Sequence, residues 1–230
     1  MRVISGIFKG KRLFCPPTTS KIRPTADRVK EAIFSILNSM DKLTGCTALD
    51  LFCGSGGIGI EALSRGAKMV YFVDIDKDSL NLTTKNIKHA GAKSGTYKTF
   101  HADFKTAIKK IEDTKFDIIF CDPPYKPIDR RKKDGQTNRL DADDGSEIEK
   151  TADKNIEKEA AENTKATLLK SKNDYTKALD LIKENKILKS DGVVVFEHSG
   201  KNDLQSFLDC STIDTRKFGT TYISFIKNLS

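Results

Sequence analysis

Apolar positions along the chain change their spacing several times, and these changes mark out the elements. Behind Pro24, Val29, Ile33, Ile36 or Leu37, and Met40 recur at helical spacing, with Thr25 placed to cap the start and Gly45 ending the stretch. From 46 to 125, near-continuous apolar runs alternate with amphipathic segments. The runs Ala48–Phe52, Met69–Val73, Tyr97–His101 and Phe116–Cys121 read as strands, and the intervening periodicity predicts helices over 57–65, 77–90 and 104–111. The same pattern returns near the end. It predicts a helix over 175–189, a strand Val193–Glu197 after Gly192, a helix over 202–209, and two β-rich runs, Ile213–Phe218 and Tyr222–Lys227, hinged at Gly219. Alternating strands and helices, with strands apolar on both faces, imply a parallel sheet covered on both sides. The closing pair reads as an antiparallel hairpin. The expectation is an α/β fold with a mostly parallel seven-stranded sheet.

Two segments break this pattern. Residues 1–24 form a basic arm containing Gly and Pro, with a short β-hairpin expected from Val3-Ile4 and Leu13-Phe14 around a turn near Gly6 or Gly10. Residues 126–174 carry twelve Lys/Arg and twelve Asp/Glu, few large apolar residues and no aromatic ring. Such a segment cannot bury enough surface to fold alone and reads as an inserted mobile loop, or as a solvated helix near 147–170. The domain expectation is therefore an arm over 1–24 and one domain over 25–230, with an insertion at 126–174.

Composition adds three points. The chain has 230 residues, 37% of them hydrophobic, enough for one core, and no apolar run approaches the ~20 residues that span a bilayer. With neither a signal region nor a transit pattern at its start, it is expected in the cytoplasm. The five cysteines are scattered without a C-x-x-C, so neither a metal site nor a disulfide framework is expected, and nothing suggests an obligate partner subunit, so a monomer is expected. The net charge is +8, and residues 1–31 hold eight basic residues against only Asp27 and Glu31. An excess placed this way suggests a nucleic-acid partner, although a lysine-rich solvated surface would look similar.

The chemistry begins at Asp50-Leu51-Phe52-Cys53-Gly54-Ser55-Gly56-Gly57-Ile58-Gly59, where a strand turns into a helix. Glycines allow a close backbone approach and a helix N-terminus offers unpaired N–H groups, so the loop suits a nucleotide-like ligand. Dinucleotide sites have an apolar residue where this strand ends in Asp50, and a carboxylate there suits a cationic amino group such as that of S-adenosylmethionine. Asp74, at the end of the next strand, suits two ribose hydroxyls, with Asp76 as its rival. Asp103 suits an adenine amino group, with Phe104 packing on the ring; Asp103 as a helix N-cap is nearly as good a reading, and the two roles are compatible. With Phe52 and Ile75 beside them, the candidate cofactor-binding residues are Asp50, Phe52, Gly54, Gly56, Asp74, Ile75, Asp103 and Phe104.

Asp122-Pro123-Pro124-Tyr125 follows the fourth strand, and in a parallel sheet that end faces the same crevice as the glycine loop. The prolines fix the backbone and leave carbonyl acceptors exposed. An exocyclic amino group on a base is a poor nucleophile because its lone pair is delocalised into the ring. A carboxylate and a carbonyl accepting its two N–H bonds would localise that pair toward a methyl donor, and Tyr125 would stack on a flipped base. Asp122, Pro123, Pro124 and Tyr125 are therefore the candidate catalytic residues. Cys121 as a nucleophile for methylation at a pyrimidine carbon is the weaker alternative, since strand alternation points it into the sheet packing.

Taken together, these motifs resemble the bacterial small-subunit ribosomal RNA (guanine-N2)-methyltransferases, the RsmD family. The resemblance runs from Arg2-Val3-Ile4-Ser5-Gly6 through Arg23-Pro24-Thr25-Ala26-Asp27-Arg28, the glycine loop, Glu61 to Ala67, Asp122 to Tyr125 and Glu197-His198-Ser199 to Arg216-Lys217-Phe218-Gly219. It implies a Rossmann-like class I methyltransferase fold, S-adenosylmethionine as donor, and guanine N2 in 16S ribosomal RNA, free or in the small subunit, as acceptor. Transfer would be direct and in line, to a flipped base. The resemblance also implies RNA contacts at Arg2, Lys9, Lys11, Arg12, Arg23, Thr25, Arg28, Arg216 and Lys217. The insertion at 126–174 departs from the family pattern. Three other readings stay open: a DNA adenine-N6 methyltransferase, which shares the tetrapeptide; a nicotinamide-dependent oxidoreductase built on the glycine loop; and a non-catalytic RNA-binding ribosome assembly factor on the same fold.

Overall fold

The computed structural model describes residues 1–15, 26–123, 177–198 and 212–227. The insertion at 126–174, the helix expected over 202–209, and Arg23, Pro24, Thr25, Pro124 and Tyr125 lie outside the described residues.

Four helices and seven strands are bounded. They are α1 (Asp27–Ser39), β1 (Thr47–Asp50), α2 (Gly57–Ser64), β2 (Met69–Asp74), α3 (Lys77–Ala90), β3 (Tyr97–His101), α4 (Phe104–Lys110), β4 (Phe116–Cys121), β5 (Leu188–His198), β6 (Thr212–Phe218) and β7 (Thr221–Ile226). Residues 177–184 are also helical. The strands form one sheet in the order β3-β2-β1-β4-β5-β7-β6. Pairing is parallel from β3 through β5 and antiparallel for β5–β7 and β7–β6. This is the mostly parallel seven-stranded sheet with a closing hairpin that the sequence predicts. No helix among the described residues is long and apolar enough to cross a membrane.

Strand alternation sends two sets of side chains to opposite faces. On one face Ala48, Val70, Phe72, Ile118, Phe120, Val195 and Phe225 join a single core with Ile33, Phe34 and Leu37 of α1, Ile60 and Leu63 of α2, and Ile87 of α3. The other set includes Leu49, Tyr71, Ile119 and Phe196, all buried, and α4 packs against β2.

Several boundaries differ from the sequence expectation. Helix α1 starts at Asp27 with Ala26 as its N-cap and no capping side chain, so the cap expected from Thr25 is replaced by an Asp in the first turn, which suits the positive end of the helix. Strand β1 stops at Asp50, because Leu51 and Phe52 already turn into the loop. Strand β5 begins at Leu188, well before Val193: Leu188 pairs with Phe116, and Lys189 meets Asp117 at 2.7 Å. The helix expected over 175–189 accordingly ends at 184, with Lys186 in a left-handed turn (φ 49°).

The N-terminal hairpin is part of the core. Val3 N–H donates to Lys11 O (2.9 Å), Leu13 N–H donates to Met1 O (3.1 Å), and Arg2 and Arg12 form an antiparallel bridge. Val3, Phe8 and Leu13 are buried in the main core cluster. The turn lies so close to α2 that a Cβ on Gly6 would stand 1.8 Å from Ser64 O. Because the hairpin covers α2, seven of that helix's eight residues are buried, Glu61 among them.

Glu61 is 0% exposed and its carboxylate accepts from Ile4 N–H (2.7 Å), Ser5 N–H (3.0 Å) and Arg65 Nε (2.8 Å). The equally buried ammonium of Lys30 lies 3.7 Å away and also donates to Arg2 O. Burial pulls the Lys30 pKa down, and Glu61 opposes that pull. Removing one partner of such a pair strands the other charge. We expect Glu61→Ala to cost about 3–5 kcal/mol, and Glu61→Ala/Lys30→Met to recover part of that loss. Urea denaturation tests this; a double variant no more stable than Glu61→Ala would show that the stranded ammonium is not the cause.

Candidate active site

The strand order reverses between β1 and β4, and in doubly wound sheets the ligand crevice opens at the carboxyl ends of the strands flanking that point. Asp50 ends β1, Asp74 ends β2 and Asp122 follows β4, so three carboxylates meet this end of the sheet.

Side chains from neighbouring elements fix the glycine loop. Asp74 accepts Gly54 N–H at 2.8 Å, the Thr83 hydroxyl donates to Gly54 O at 2.8 Å, and the Asn86 amide donates to Ser55 O at 2.9 Å. Gly56, in the left-handed region (φ 76°), is the N-cap of α2. A side chain at Gly59 would stand 2.3 Å from the Phe72 ring and 3.1 Å from Asp50, so only glycine lets α2 approach β1 and β2 this closely.

The carboxylates around the crevice divide into two kinds. Asp50 is buried and accepts Gly59 N–H at 3.0 Å; burial, opposed by that hydrogen bond, pushes its pKa up to about 7. Burial also raises the Asp74 pKa, although Asp74 accepts from Gly54 and Asp76 N–H groups. Asp76 and Asp103 behave in the opposite way. Each caps a helix, Asp76 accepting from Ser79 and Asp103 from Lys105 and Thr106, and these bonds hold their pKa values below the ordinary one. Asp74 is thus the better ligand candidate of the 74/76 pair, and Asp103 caps α4, a role compatible with accepting from an adenine amino group. Phe104 meets the Phe52 ring at 5.6 Å, and Ile75 is 69% exposed beside Asp74, its carbonyl held by the His101 ring at 3.0 Å.

The Asp122 side chain is half-buried, and its pKa is raised by desolvation first and then by Glu197 and Asp50. The register explains the grouping. Asp50 lies beside Phe120 and Cys121 beside Phe196, so Asp122 lies on the Asp50 face, one step from the end of β4 and next to Glu197 on β5. Pro123 is buried. Cys121 is buried and its thiol is held well above the usual range, which removes it as a ready nucleophile.

The residues expected to meet RNA fall in two places. Arg2, Lys9, Lys11 and Arg12 are exposed on the hairpin and Arg28 on α1, whereas Arg216 and Lys217 are exposed on β6, the last strand of the sheet. Sequence reasoning passed over Thr83, Asn86 and Glu197. The signal for the first two was available, since polar Thr83 and Asn86 interrupt the apolar stripe of α3 and are fully buried.

Fold and loop define a class I methyltransferase domain. The family described as Conserved hypothetical protein 95 matches residues 1–134. YlbH of Bacillus subtilis is 43% identical over 133 residues, 55% of this chain and 67% of its own. The ribosomal RNA small subunit methyltransferase D of Haemophilus influenzae is 37% identical over 127 residues (54% of this chain, 64% of its own), and that of Escherichia coli K12 is 32% identical over 126 (55% and 61%). The chain belongs to this family, the RsmD family of class I methyltransferases. It spans about two thirds of the length of the curated relatives it matches. Among solved structures, yhhF of Escherichia coli superposes with a TM-score of 0.67 (21% identical, 100% of this chain and 99% of its own) and HI0767 of Haemophilus influenzae with 0.66 (24%, 100% and 98%). SMU.776 complexed with SAH shares the fold at a TM-score of 0.54 (14%, 84% and 48%).

A carboxyl whose pKa rises on folding is favoured in its protonated form. The stability linked to Asp50 is therefore fully present below pH 4 and is lost as pH rises to about 7. Asp74 and Asp122 act with the same sign. We expect the ligand-free protein to lose thermal stability between pH 5 and 7.5, and Asp50→Asn to flatten that slope. Calorimetry across the range decides it: equal slopes for the two proteins would mean that Asp50 ionises as freely as an exposed carboxyl.

Proposed function

We propose that this chain transfers a methyl group from S-adenosylmethionine to the exocyclic N2 amino group of a guanine in small-subunit ribosomal RNA, presented as a flipped base. The observation that carries this reading is the strand register that sets the Asp122 carboxyl on the Asp50 face, at the same end of the sheet as the fixed glycine loop. The names of the Haemophilus and Escherichia relatives support the RNA class, and the SAH bound to SMU.776 supports the cofactor class.

The crevice fits the cofactor's functional groups. Buried Asp50 would hold the cationic amino group, which would bring its pKa back toward the ordinary value. Asp74 would hold the ribose hydroxyls, and Phe52, Ile75 and Phe104 would pack on the base. Bound there, S-adenosylmethionine supplies an electrophilic sulfonium methyl that the amino nitrogen takes in line. Asp122 and the Pro123 carbonyl would accept the two N–H bonds of the base. Desolvation first, and then neighbouring Glu197, makes Asp122 a stronger proton acceptor than an ordinary carboxylate, so Asp122 is suited to take the proton the nitrogen sheds. Positioning and electrostatics would supply the rest of the rate. Pro124 and Tyr125, the latter assigned to stack on the base, complete the proposed site from outside the described residues. The division into a basic hairpin and a methyltransferase domain carrying an insertion at 126–174 belongs to the same reading.

The test is transfer of labelled methyl from S-adenosylmethionine to small ribosomal subunits that lack the modification, followed by nucleoside analysis. N2-methylguanosine is the expected product; N6-methyladenosine would overturn the target. Asp122→Ala should lower turnover by about a hundredfold or more and leave cofactor affinity within about threefold. Retained turnover would remove Asp122 from the mechanism.

A further inference from the structure

The N-terminal hairpin and α3 pack together through Asn86, which accepts Phe14 N–H at 2.7 Å and donates to Phe14 O at 3.0 Å. This contact joins two segments that share an unusual composition. Residues 1–15 and 79–102 contain eight Lys/Arg and no Asp or Glu. At their junction Phe14 remains 40% exposed, with the Lys85 ammonium 4.1 Å from its ring centroid and the His89 ring 4.9 Å away. Lys11 reaches across to His89 O at 3.5 Å, and Arg12 and Lys88 are exposed alongside. On the neighbouring strand of the hairpin Arg2, bridged to Arg12, pairs with Asp27 in the first turn of α1.

Helix capping accounts for part of this. A cation near the carboxyl end of α3 is favourable, which explains Lys11 and Lys88. It does not explain Arg12, nor a phenyl ring that stays exposed among cations with the Lys85 ammonium over one of its sides. None of Lys11, Arg12, Lys85 and Lys88 pairs with a described carboxylate. An exposed aromatic ring among cations that pair with no described carboxylate is what a single-stranded nucleic acid needs: charges for the phosphates and a plane for one base.

We propose that this hairpin–α3 face is a second RNA-docking surface, on which Lys11, Arg12, Lys85 and Lys88 hold backbone phosphates and Phe14 stacks on an unpaired base. It rests on the RNA reading above and extends the footprint beyond the catalytic crevice, along the flank of the sheet to the far end of α3. The strand running over it would be a flanking segment of the same RNA.

The test is fluorescence anisotropy of the full chain with a labelled RNA hairpin carrying a ten-nucleotide single-stranded tail, at several salt concentrations. Three variants are compared with wild type: Lys85→Gln/Lys88→Gln, Phe14→Leu, and Lys109→Gln/Lys110→Gln, which removes the same charge from exposed positions on α4. We expect the first to weaken binding about tenfold and to lower the slope of log affinity against log salt by about 1.4, the loss of two phosphate contacts on a single strand. Phe14→Leu, which keeps the backbone bonds to Asn86 and an apolar side chain, should weaken binding of the tailed RNA about fivefold or more and leave a tail-less duplex unchanged. Equal effects of the Lys85/Lys88 and Lys109/Lys110 pairs would overturn the surface and leave the methyltransferase reading standing. Wild-type protein that neither binds nor methylates RNA would overturn both. Loss of binding to anionic vesicles with RNA binding intact would assign the face to a membrane instead.

Discussion

The structure depends on the buried carboxylate of Glu61. Helix α2 carries the glycine loop at its start and is surrounded by protein on nearly every side. A charge inside such a helix has no water to turn to, and it is tolerated only where every lone pair finds a partner. The partners come from outside α2: two N–H groups of the hairpin and the ammonium of α1, joined by Arg65. The N-terminal hairpin is therefore part of what makes α2 a possible helix. Asn86 repeats the device from α3, holding the hairpin backbone and the glycine loop with one amide. Two buried polar side chains, each fully used, fix the loop before any ligand arrives.

The crevice shows how environment divides one residue type into two functions. Asp76 and Asp103 sit at helix starts in contact with water, and N–H donors lower their pKa values. Asp50, Asp74 and Asp122 sit at strand ends, where burial outweighs the hydrogen bonds of the first two and neighbouring carboxylates add to it at the third. The first pair contributes to folding. The other three oppose it when ionised, and groups held at such a cost in a crevice mark a place built for something else. The sequence alone could not separate these kinds, because solvent exposure at a strand end depends on what the opposing helices cover.

Much of the fold was legible because it follows from period. Strands β3 and β4 and helix α3 lie where alternation and the 3.6-residue repeat put them, and the antiparallel closing pair was readable from its hinge at Gly219. The misses arise where tertiary contacts override local pattern. Strand β5 is extended by pairing with Phe116 and by the Lys189–Asp117 ion pair, neither of which leaves a trace in nearby residues. The start of α1 rests on Ala26, a residue with no capping side chain. The catalytic candidates were legible as a motif, but the grouping of Asp122 with Glu197 depends on the register between β4 and β5, which no local pattern encodes. The arm read as an appendage because its charge was conspicuous, while Val3, Phe8 and Leu13, which bind it to the core, are spaced too irregularly to show a period.

The distribution of charge now has a physical logic. Cations cover the outside of the hairpin and α3, and carboxyls are gathered in the crevice. A polyanion drawn to the first should be repelled by the second. The raised pKa values reduce that conflict: with Asp50 near half-protonated at pH 7, the ligand-free crevice carries less negative charge than its residues imply. A cationic ligand beside Asp50 would draw off that proton and be neutralised in the same step, leaving the crevice little changed in net charge. Asp122 lies beside Asp50 in this arrangement, so the ionisation of one bears on the other. Because the ligand and Asp50 neutralise each other, Asp122 meets about the same net charge with the donor site filled or empty. Loss of the Asp50 proton would then not hinder ionisation of Asp122, the form that accepts hydrogen bonds from an amino group.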